Sequence, residues 1–220
     1  MTTLQPRKFT CPLCGNVFES PVIMSTNSFG KLHSDLYKEA SGEQPVCHFV
    51  HTCPKCGYTG FEGDFERQDF SFVFKDLLEQ NITPEIKDRK VGAHGNFYLA
   101  ALCAEWRGAP FYVIARIYHM GAWCCRMKGE KEKERFYLGR AAEYFERALS
   151  IGNTPKDDTP KENAAIFTYL LGDIYRRLGE TEKAKEWYGR VERTIKERGG
   201  DPKILEFARR QMTEPSDIFS

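Results

Sequence analysis

The feature that most constrains this chain is a pair of matching cysteine motifs near its N-terminus. Cys11-Pro-Leu-Cys14-Gly and Cys53-Pro-Lys-Cys56-Gly share the same pattern, with a proline between the cysteines and a glycine after them. Such a turn places two sulfur atoms on one side of a loop, and the glycine permits the positive φ that the turn needs. Two turns supply four thiolates, a ligand set that binds Zn²⁺ tetrahedrally. We therefore expect Cys11, Cys14, Cys53 and Cys56 to hold a zinc ion.

The distance between the two motifs leaves an alternative ligand set open. Thirty-eight residues separate Cys14 from Cys53, about twice the ~15–20 residues found between the two cysteine pairs of a compact zinc site. Glycine and proline in this segment predict loops or short strands inserted between the motifs. The segment also contains four alternative ligands, which are His33, Cys47, His48 and His51. A site that uses one of these in place of a motif cysteine is the alternative.

Four thiolates favour a structural role for the metal. They close the coordination shell, whereas a catalytic zinc keeps one position open for water or substrate. A structural ion replaces the apolar core that a short segment cannot build by itself. The presence of two Cys-x-x-Cys motifs argues against a redox role, because the thioredoxin-like motif occurs once, directly after a strand. We expect residues 1–68 to form a small β-rich zinc-ribbon domain with an inserted loop.

The second part of the chain, residues 69–220, predicts a helical domain. Apolar residues between 164 and 178, and again between 184 and 195, recur with the period of an α-helix. Thr159, Pro160 and Glu162 predict an N-terminal capping box, and Gly179 predicts the end of the first helix. The two helices have the residue spacing of a tetratricopeptide repeat, carried by Leu171, Gly172, Tyr175, Gly179, Ala184 and Tyr188.

Further helices are expected on both sides of this hairpin. Residues 111–125 and 138–149 form an earlier, looser pair, and the charged stretch 128–135 predicts a solvated turn or helix end between them. Residues 97–106 predict a helix upstream, and a closing helix is expected after Pro202. The expected fold class is therefore mainly α, a short α-solenoid of tetratricopeptide-like antiparallel hairpins that follows the β-rich zinc ribbon.

The charge balance limits the classes of partner. The chain has 32 Lys and Arg against 31 Asp and Glu, and residues 1–60 hold five of the former and four of the latter. A protein that binds nucleic acid usually has a basic excess, because phosphate contacts supply most of its affinity. Nucleic-acid binding by the ribbon is thus the weaker alternative, and its candidate residues are Arg7, Lys8, Lys31, Lys38 and Lys55 with Phe9, Phe29 and Tyr37.

Segment hydropathy predicts a cytoplasmic protein that does not cross a membrane. The most apolar segment, Pro110–Cys125, is interrupted by Arg116 and is too short to span a bilayer. The first nine residues lack the apolar core of a signal peptide. In a reducing compartment, cysteines are explained by metal binding or burial more readily than by disulfides. We expect the remaining helical cysteines, Cys103, Cys124 and Cys125, to be packing residues.

A stack of helical hairpins suggests binding to a protein or peptide. The first helix of each pair lines the concave face, where an extended segment or a helix can lie. Aromatic and arginine side chains on that face are typical interface anchors. The expected partner-binding residues are Tyr112, Arg116 and His119 on one helix and Tyr169, Asp173 and Arg176 on another.

The motifs of common enzyme classes are missing from the sequence. Gly92-Ala-His-Gly95 lacks the Lys-Ser/Thr pair of a phosphate-binding loop, and the chain contains neither H-E-x-x-H nor G-x-S-x-G. A zinc hydrolase built on Cys47, His48 and His51 would need an open coordination position. We expect a protein that is not an enzyme.

The combination of the two knuckles with the helical region resembles a known prokaryotic family. The residues that carry the resemblance are Cys11–Gly15, Cys53–Tyr58, Arg176–Gly179 and Trp187-Tyr188. The chain is similar over nearly its whole length to the family catalogued as domain of unknown function 2225. The resemblance implies an architecture that joins a long-spaced zinc ribbon to tetratricopeptide-like helices. It implies neither an established activity nor catalytic residues.

Overall fold

The structure, a computed structural model, describes residues 1–87, 95–150 and 159–219. Its N-terminal part contains five strands: β1 (Thr3–Thr10), β2 (Val17–Ser25), β3 (Leu32–His33), β4 (Val50–Thr52) and β5 (Thr59–Phe61). β1 pairs with β2, and β4 pairs with β5, both antiparallel. The turn of each hairpin is one of the two cysteine motifs. The small β region expected at the N-terminus is confirmed.

A helix that the sequence did not predict follows this β region. α1 (Phe72–Asn81) begins where the Ser71 hydroxyl accepts a hydrogen bond from the Phe74 N–H, and the short α2 (Thr83–Lys87) follows it. α1 buries Phe74 and Leu78, whereas Phe72 is 78% exposed. Its solvent side therefore also carries an apolar residue, which hides the helix period in the sequence of this segment.

Six further helices follow along the described chain. They are α3 (Asn96–Trp106), α4 (Phe111–Met127), α5 (Lys131–Ser150), α6 (Ala164–Leu178), α7 (Thr181–Arg198) and α8 (Lys203–Thr213). The expected mainly helical fold is confirmed. α6 starts at Ala164, after a 3₁₀ turn at Lys161–Asn163, and Asn163 precedes it without a side-chain cap bond. The capping box predicted at Thr159 and Glu162 is therefore not where this helix begins.

Two helical hairpins repeat the same close contact. Gly121 of α4 faces the Tyr137 ring of α5, and Gly172 of α6 faces the Tyr188 ring of α7; a Cβ atom at either glycine would lie 2.5 Å from a ring carbon. Each contact joins residues sixteen positions apart on either side of a short turn, so both hairpins are antiparallel. Only glycine lets the ring approach the helix backbone this closely.

The C-terminal end returns to the N-terminal part. β6 (Ile218–Phe219) pairs antiparallel with β3, with Leu32 opposite Phe219 and His33 opposite Ile218. This pairing fixes the segment between the cysteine motifs against the helices. The division of the chain at residue 68 stays a prediction. Within the described ranges, none of the helices has both the length and the apolar character needed to cross a membrane.

Candidate metal centre and partner-binding face

The two cysteine motifs come together at one point. Cys11 Sγ lies 3.6 Å from Cys56 Sγ, and Cys14 Sγ lies 3.7 Å from Cys53 Sγ. All four sulfur atoms lie within 4.8 Å of one another. Sulfurs at a Zn–S distance of about 2.3 Å stand about 3.8 Å apart on a tetrahedron. The four cysteines therefore lie close enough to hold a metal ion.

Both motifs use the same backbone geometry. The Gly15 N–H donates to the Cys11 carbonyl and the Gly57 N–H donates to the Cys53 carbonyl, each at 2.9 Å. Both glycines have positive φ, at 66° and 83°. A Cβ atom at Gly57 would also lie 2.4 Å from Ile82 Cγ2. The second glycine is thus required twice, for the turn and for the close approach of the following helical segment.

The cysteine cluster is packed against helices. Cys11, Cys53 and Cys56 share one apolar core with Phe74 and Leu78 of α1 and Leu99 and Cys103 of α3. The Thr83 hydroxyl donates to the Cys56 carbonyl at 2.8 Å. The apolar surroundings of the cluster are therefore completed by residues that follow both motifs.

The sulfur atoms compete for protons. Hydrogen bonding with Cys53 raises the pKa of Cys11 to about 11. Hydrogen bonds from Cys11 and Cys56 lower the pKa of Cys53, whereas hydrogen bonding with Cys11 and Cys53, together with burial, raises that of Cys56. A divalent ion binds thiolates, so its binding would release the remaining protons.

The alternative ligands are engaged elsewhere in the described structure. His51 Nδ1 lies 2.9 Å from Ser20 Oγ, and burial lowers the pKa of His51 to about 4. His33 Nε2 and His48 Nε2 lie against Glu39 and Glu43. None of these side chains belongs to the metal-ligating group formed by the described residues. The cysteine-only ligand set is the one that the geometry favours.

Cys47 corrects an expectation about the cysteines. It forms a disulfide with Cys124 of α4, which links the segment between the motifs to the helices. From the sequence, burial or metal binding alone is expected to account for both residues. Cys103 and Cys125 are free and buried, as packing residues are. The sequence contained no signal for the disulfide, because its partners lie 77 residues apart.

The three expected partner-binding residues on α6 all contact Ser34, in the segment between the cysteine motifs. The Tyr169 hydroxyl donates to the Ser34 carbonyl at 2.5 Å, and Ser34 Oγ donates to Asp173 Oδ2 at 3.0 Å. Arg176 Nη2 donates to Ser34 Oγ at 3.0 Å and to Asp217 Oδ1 at 2.8 Å. Tyr169 and Asp173 are fully buried. In this conformation the inserted segment occupies the place expected for a partner on α6.

The other three residues lie on α4. Arg116 is exposed, whereas Tyr112 is half-buried with its ring 6.0 Å from the Phe167 ring. His119 is buried, and its Nε2 lies 3.6 Å from Asp35 Oδ2. Arg116 and His119 both line a cavity of about 240 Å³ between α4, α6 and residues 35–36. The geometry thus leaves an accessible site around Arg116.

Asp35 is a functional candidate that the sequence did not reveal. It is fully buried, and it accepts a hydrogen bond from Arg126 and lies 3.8 Å from Arg177 Nε. Burial opposes ionisation, but hydrogen bonding from His119 and the charges of Arg126 and Arg177 outweigh it and hold the pKa of Asp35 well below its usual range. Ser34 and Asp35 are adjacent in a loop and belong to no periodic pattern or known motif. The sequence therefore gives no indication of their contacts.

The residues suggested for nucleic-acid stacking are not arranged as a platform. Phe9 and Tyr37 are buried, and only Phe29 of the three rings is exposed. Arg7 pairs with Glu62. Because stacking requires accessible ring faces beside free cations, the two buried rings cannot stack on bases, and among the three named rings Phe29 is the exposed one.

One comparison with known proteins gives a result. The model of a bacterial family described as an uncharacterized protein conserved in bacteria, domain of unknown function 2225, matches residues 4–214. Neither a curated protein nor a solved structure matches the chain. The match covers both the cysteine cluster and the helical hairpins.

Proposed function

The chain belongs to the conserved bacterial family of domain of unknown function 2225, and we propose that it is a non-enzymatic protein-binding module. A structural zinc ion holds its N-terminal part, and a cleft beside Arg116 receives the partner. The observation that carries the proposal is the cavity between α4, α6 and residues 35–36, next to an exposed arginine.

Zinc is the ion that best suits the cluster. Four cysteine sulfurs form a soft, tetrahedral ligand set, which selects zinc over magnesium or calcium. Both motifs sit at the turns of β-hairpins, the arrangement of a zinc ribbon. When bound, the ion would cross-link the two hairpins. With all four positions filled by protein, it has none left for a substrate, which supports a structural role.

The tetratricopeptide-like assignment is supported by the repeated hairpin contact. A glycine facing a tyrosine ring recurs in α4–α5 and α6–α7 at the same sequence separation. Small residues that admit aromatic rings are what this repeat needs between its paired helices. We propose that α4 and α6 are the first helices of two such pairs, and that their shared face is the binding surface.

The partner would contact the part of this face that the chain leaves open. Arg116 stands at the rim of the cavity, and the Phe167 and Leu170 side chains form part of its wall. An arginine beside a recessed apolar pocket is a common arrangement of interface hot spots. Ser34 and the C-terminal strand close the α6 end of the face, so the partner is expected at the α4 side.

A capture experiment tests this function. Tagged full-length protein and its Arg116→Glu variant would be compared in co-purification from a bacterial lysate with quantitative mass spectrometry. We expect one or more proteins to be lost with the variant, since a hot-spot loss of about 1 kcal/mol or more lowers affinity about fivefold. Arg193→Glu is the matched control, because Arg193 is exposed on α7. Equal recovery with all three proteins would contradict the proposal.

A further inference from the structure

The cavity beside Arg116 has a size that suits one apolar side chain. Its volume is about 240 Å³, below the ~300–1,000 Å³ typical of pockets for small-molecule ligands. Its accessible walls are formed by half-buried apolar side chains, which are Leu36, Met120, Trp123 and Ile166. An aliphatic side chain of a partner would therefore bury apolar surface against these walls.

Of the three ionisable side chains that line the cavity, Arg116 is the one that a ligand can reach. The Asp35 side chain is 0% exposed and the His119 side chain is 2% exposed. Asp35 is also paired already with Arg126 and Arg177. Arg116, in contrast, is exposed. The cavity therefore presents a positive charge to solvent.

Arg116 lacks a counter-charge within the described ranges. None of the described residues forms an ion pair or a hydrogen bond with its guanidinium group, and α4, which carries it, contains no Asp or Glu. Exposed arginines on the neighbouring helices are paired instead. Arg147 of α5 pairs with Glu143, and Arg193 of α7 pairs with Glu197. Arg116 is thus available to a carboxylate from another molecule.

A second donor lines the same cavity. The Asn163 side chain does not cap α6, and it forms no hydrogen bond with the described residues. Its amide group has two N–H donors. The adjacent Lys161 and Glu162 are both exposed and have opposite charges, so together they leave the positive charge of Arg116 unbalanced.

We propose that the cavity binds an acidic segment of the partner protein, whose apolar side chain enters the cavity and whose neighbouring carboxylate pairs with Arg116. A guanidinium group can donate two parallel N–H bonds to one carboxylate, and the Asn163 amide supplies a further donor. Charge complementarity selects the segment, and the apolar walls add contact area. This inference rests on the proposed protein-binding function and names the chemistry that the partner presents.

Two dipeptides that differ in one charge test this recognition in the full-length protein. N-acetyl-Leu-Glu-amide and its matched control, N-acetyl-Leu-Gln-amide, would be titrated while the indole N–H resonance of Trp123 is followed by NMR, assigned with Trp123→Phe. We expect a saturable shift with a Kd on the order of 1 mM for the Glu peptide. The Gln peptide should bind about two- to fivefold more weakly, which is the range of an exposed ion pair. No saturable shift with the Glu peptide, or equal binding of both peptides, would overturn the proposal.

Two variants assign the two parts of the peptide to their contacts. Arg116→Gln, a change at an exposed position, should remove the preference for the Glu peptide and leave the binding of the Gln peptide unchanged. Ile166→Phe should abolish the saturable shift of both peptides, because the larger side chain fills the cavity. Arg193→Gln is the matched control and should keep the wild-type preference. A preference that survives Arg116→Gln, or unchanged binding in folded Ile166→Phe, would overturn the site.

The two proposals can fail separately. If Arg116→Glu loses its partner in the capture experiment while both peptides bind equally, the acidic recognition is wrong and the binding function stands. If the Glu peptide is preferred through Arg116 but Arg116→Glu recovers every protein, the binding function at this face is wrong and the acidic-peptide site stands.

Discussion

The cysteine cluster and the helical hairpins bury their surfaces in different ways. In β1 only Phe9 is buried, and β4 and β5 have three residues each, so the N-terminal part depends on four sulfurs and a small aromatic group. The hairpins instead bury alanine, leucine and tyrosine along whole helix faces. Removing one side chain should therefore destabilise the N-terminal part strongly, because few groups hold it together. The same kind of change should destabilise the helical hairpins moderately, because many buried side chains contribute there.

The sharpest test removes one sulfur atom. Cys53→Ser should abolish stoichiometric zinc binding, because an incomplete shell no longer displaces the thiol protons. Structural zinc sites are worth about 10–16 kcal/mol in apparent binding free energy, against ~2–5 kcal/mol for a large-to-small change in an apolar core. Metal analysis and thermal unfolding would measure the two losses. We expect the region around β4, β5 and α1 to unfold first.

Cys103→Ala is the matched control for this substitution. Cys103 is fully buried in the same apolar core but is not one of the four clustered sulfurs. It should retain zinc and show a smaller loss of stability. A Cys53→Ser protein with full zinc content and an unchanged melting temperature would rule out the metal-held description of this region.

A second test addresses the ion pairs that join the two regions. Asp35→Asn should lower the free energy of unfolding by about 3–5 kcal/mol near neutral pH, since it leaves buried arginines without their partner. The folded-state pKa of Asp35 lies well below 3.8, whereas the unfolded value is about 3.9. Its contribution is therefore complete above about pH 4 and is lost as the pH falls through the folded-state pKa.

Urea unfolding of both proteins at pH 7 and at pH 3 would measure this dependence. The difference between wild type and Asp35→Asn should narrow at the lower pH, and loss of metal there affects both proteins alike. Asp69→Asn, a change at an exposed carboxylate, should show little difference at either pH. A gap that stays constant would show that Asp35 does not act through its charge.

A feature could be predicted from the sequence when the residues that form it lie close together along the chain. The motif cysteines and the spacing of Gly172 and Tyr188 are short-range patterns, so the ligand set and the helical region could be recognised. The contacts of Ser34 with Tyr169 and Arg176 span 135 and 142 residues. Such contacts have no period and no fixed spacing, and nothing in the sequence pairs them.

The difference between short-range patterns and long-range contacts also explains why only part of the expected binding face is open. Residues just off an apolar stripe are predicted to face solvent, and Arg116 does. Asp173 follows the same rule on α6, yet it is buried because the inserted segment and the C-terminal strand cover it. A helix pattern identifies which residues share a face, but it does not identify what another part of the chain places there.

The smallest of the three effects tests whether the two hairpins are equivalent. Gly172→Ala places a methyl group 2.5 Å from the Tyr188 ring, and this overpacking should lower the free energy of unfolding by about 1–3 kcal/mol. Gly121→Ala should give a similar loss against Tyr137. Gly189→Ala on α7 has no atom within 4 Å of the new methyl group, so it should stabilise the helix by about 0.5–1 kcal/mol. Chemical denaturation of the three variants measures these changes. If the Gly172→Ala protein were as stable as the Gly189→Ala protein, the Tyr188 ring would have moved aside. The close contact between glycine and tyrosine would then not define the hairpin.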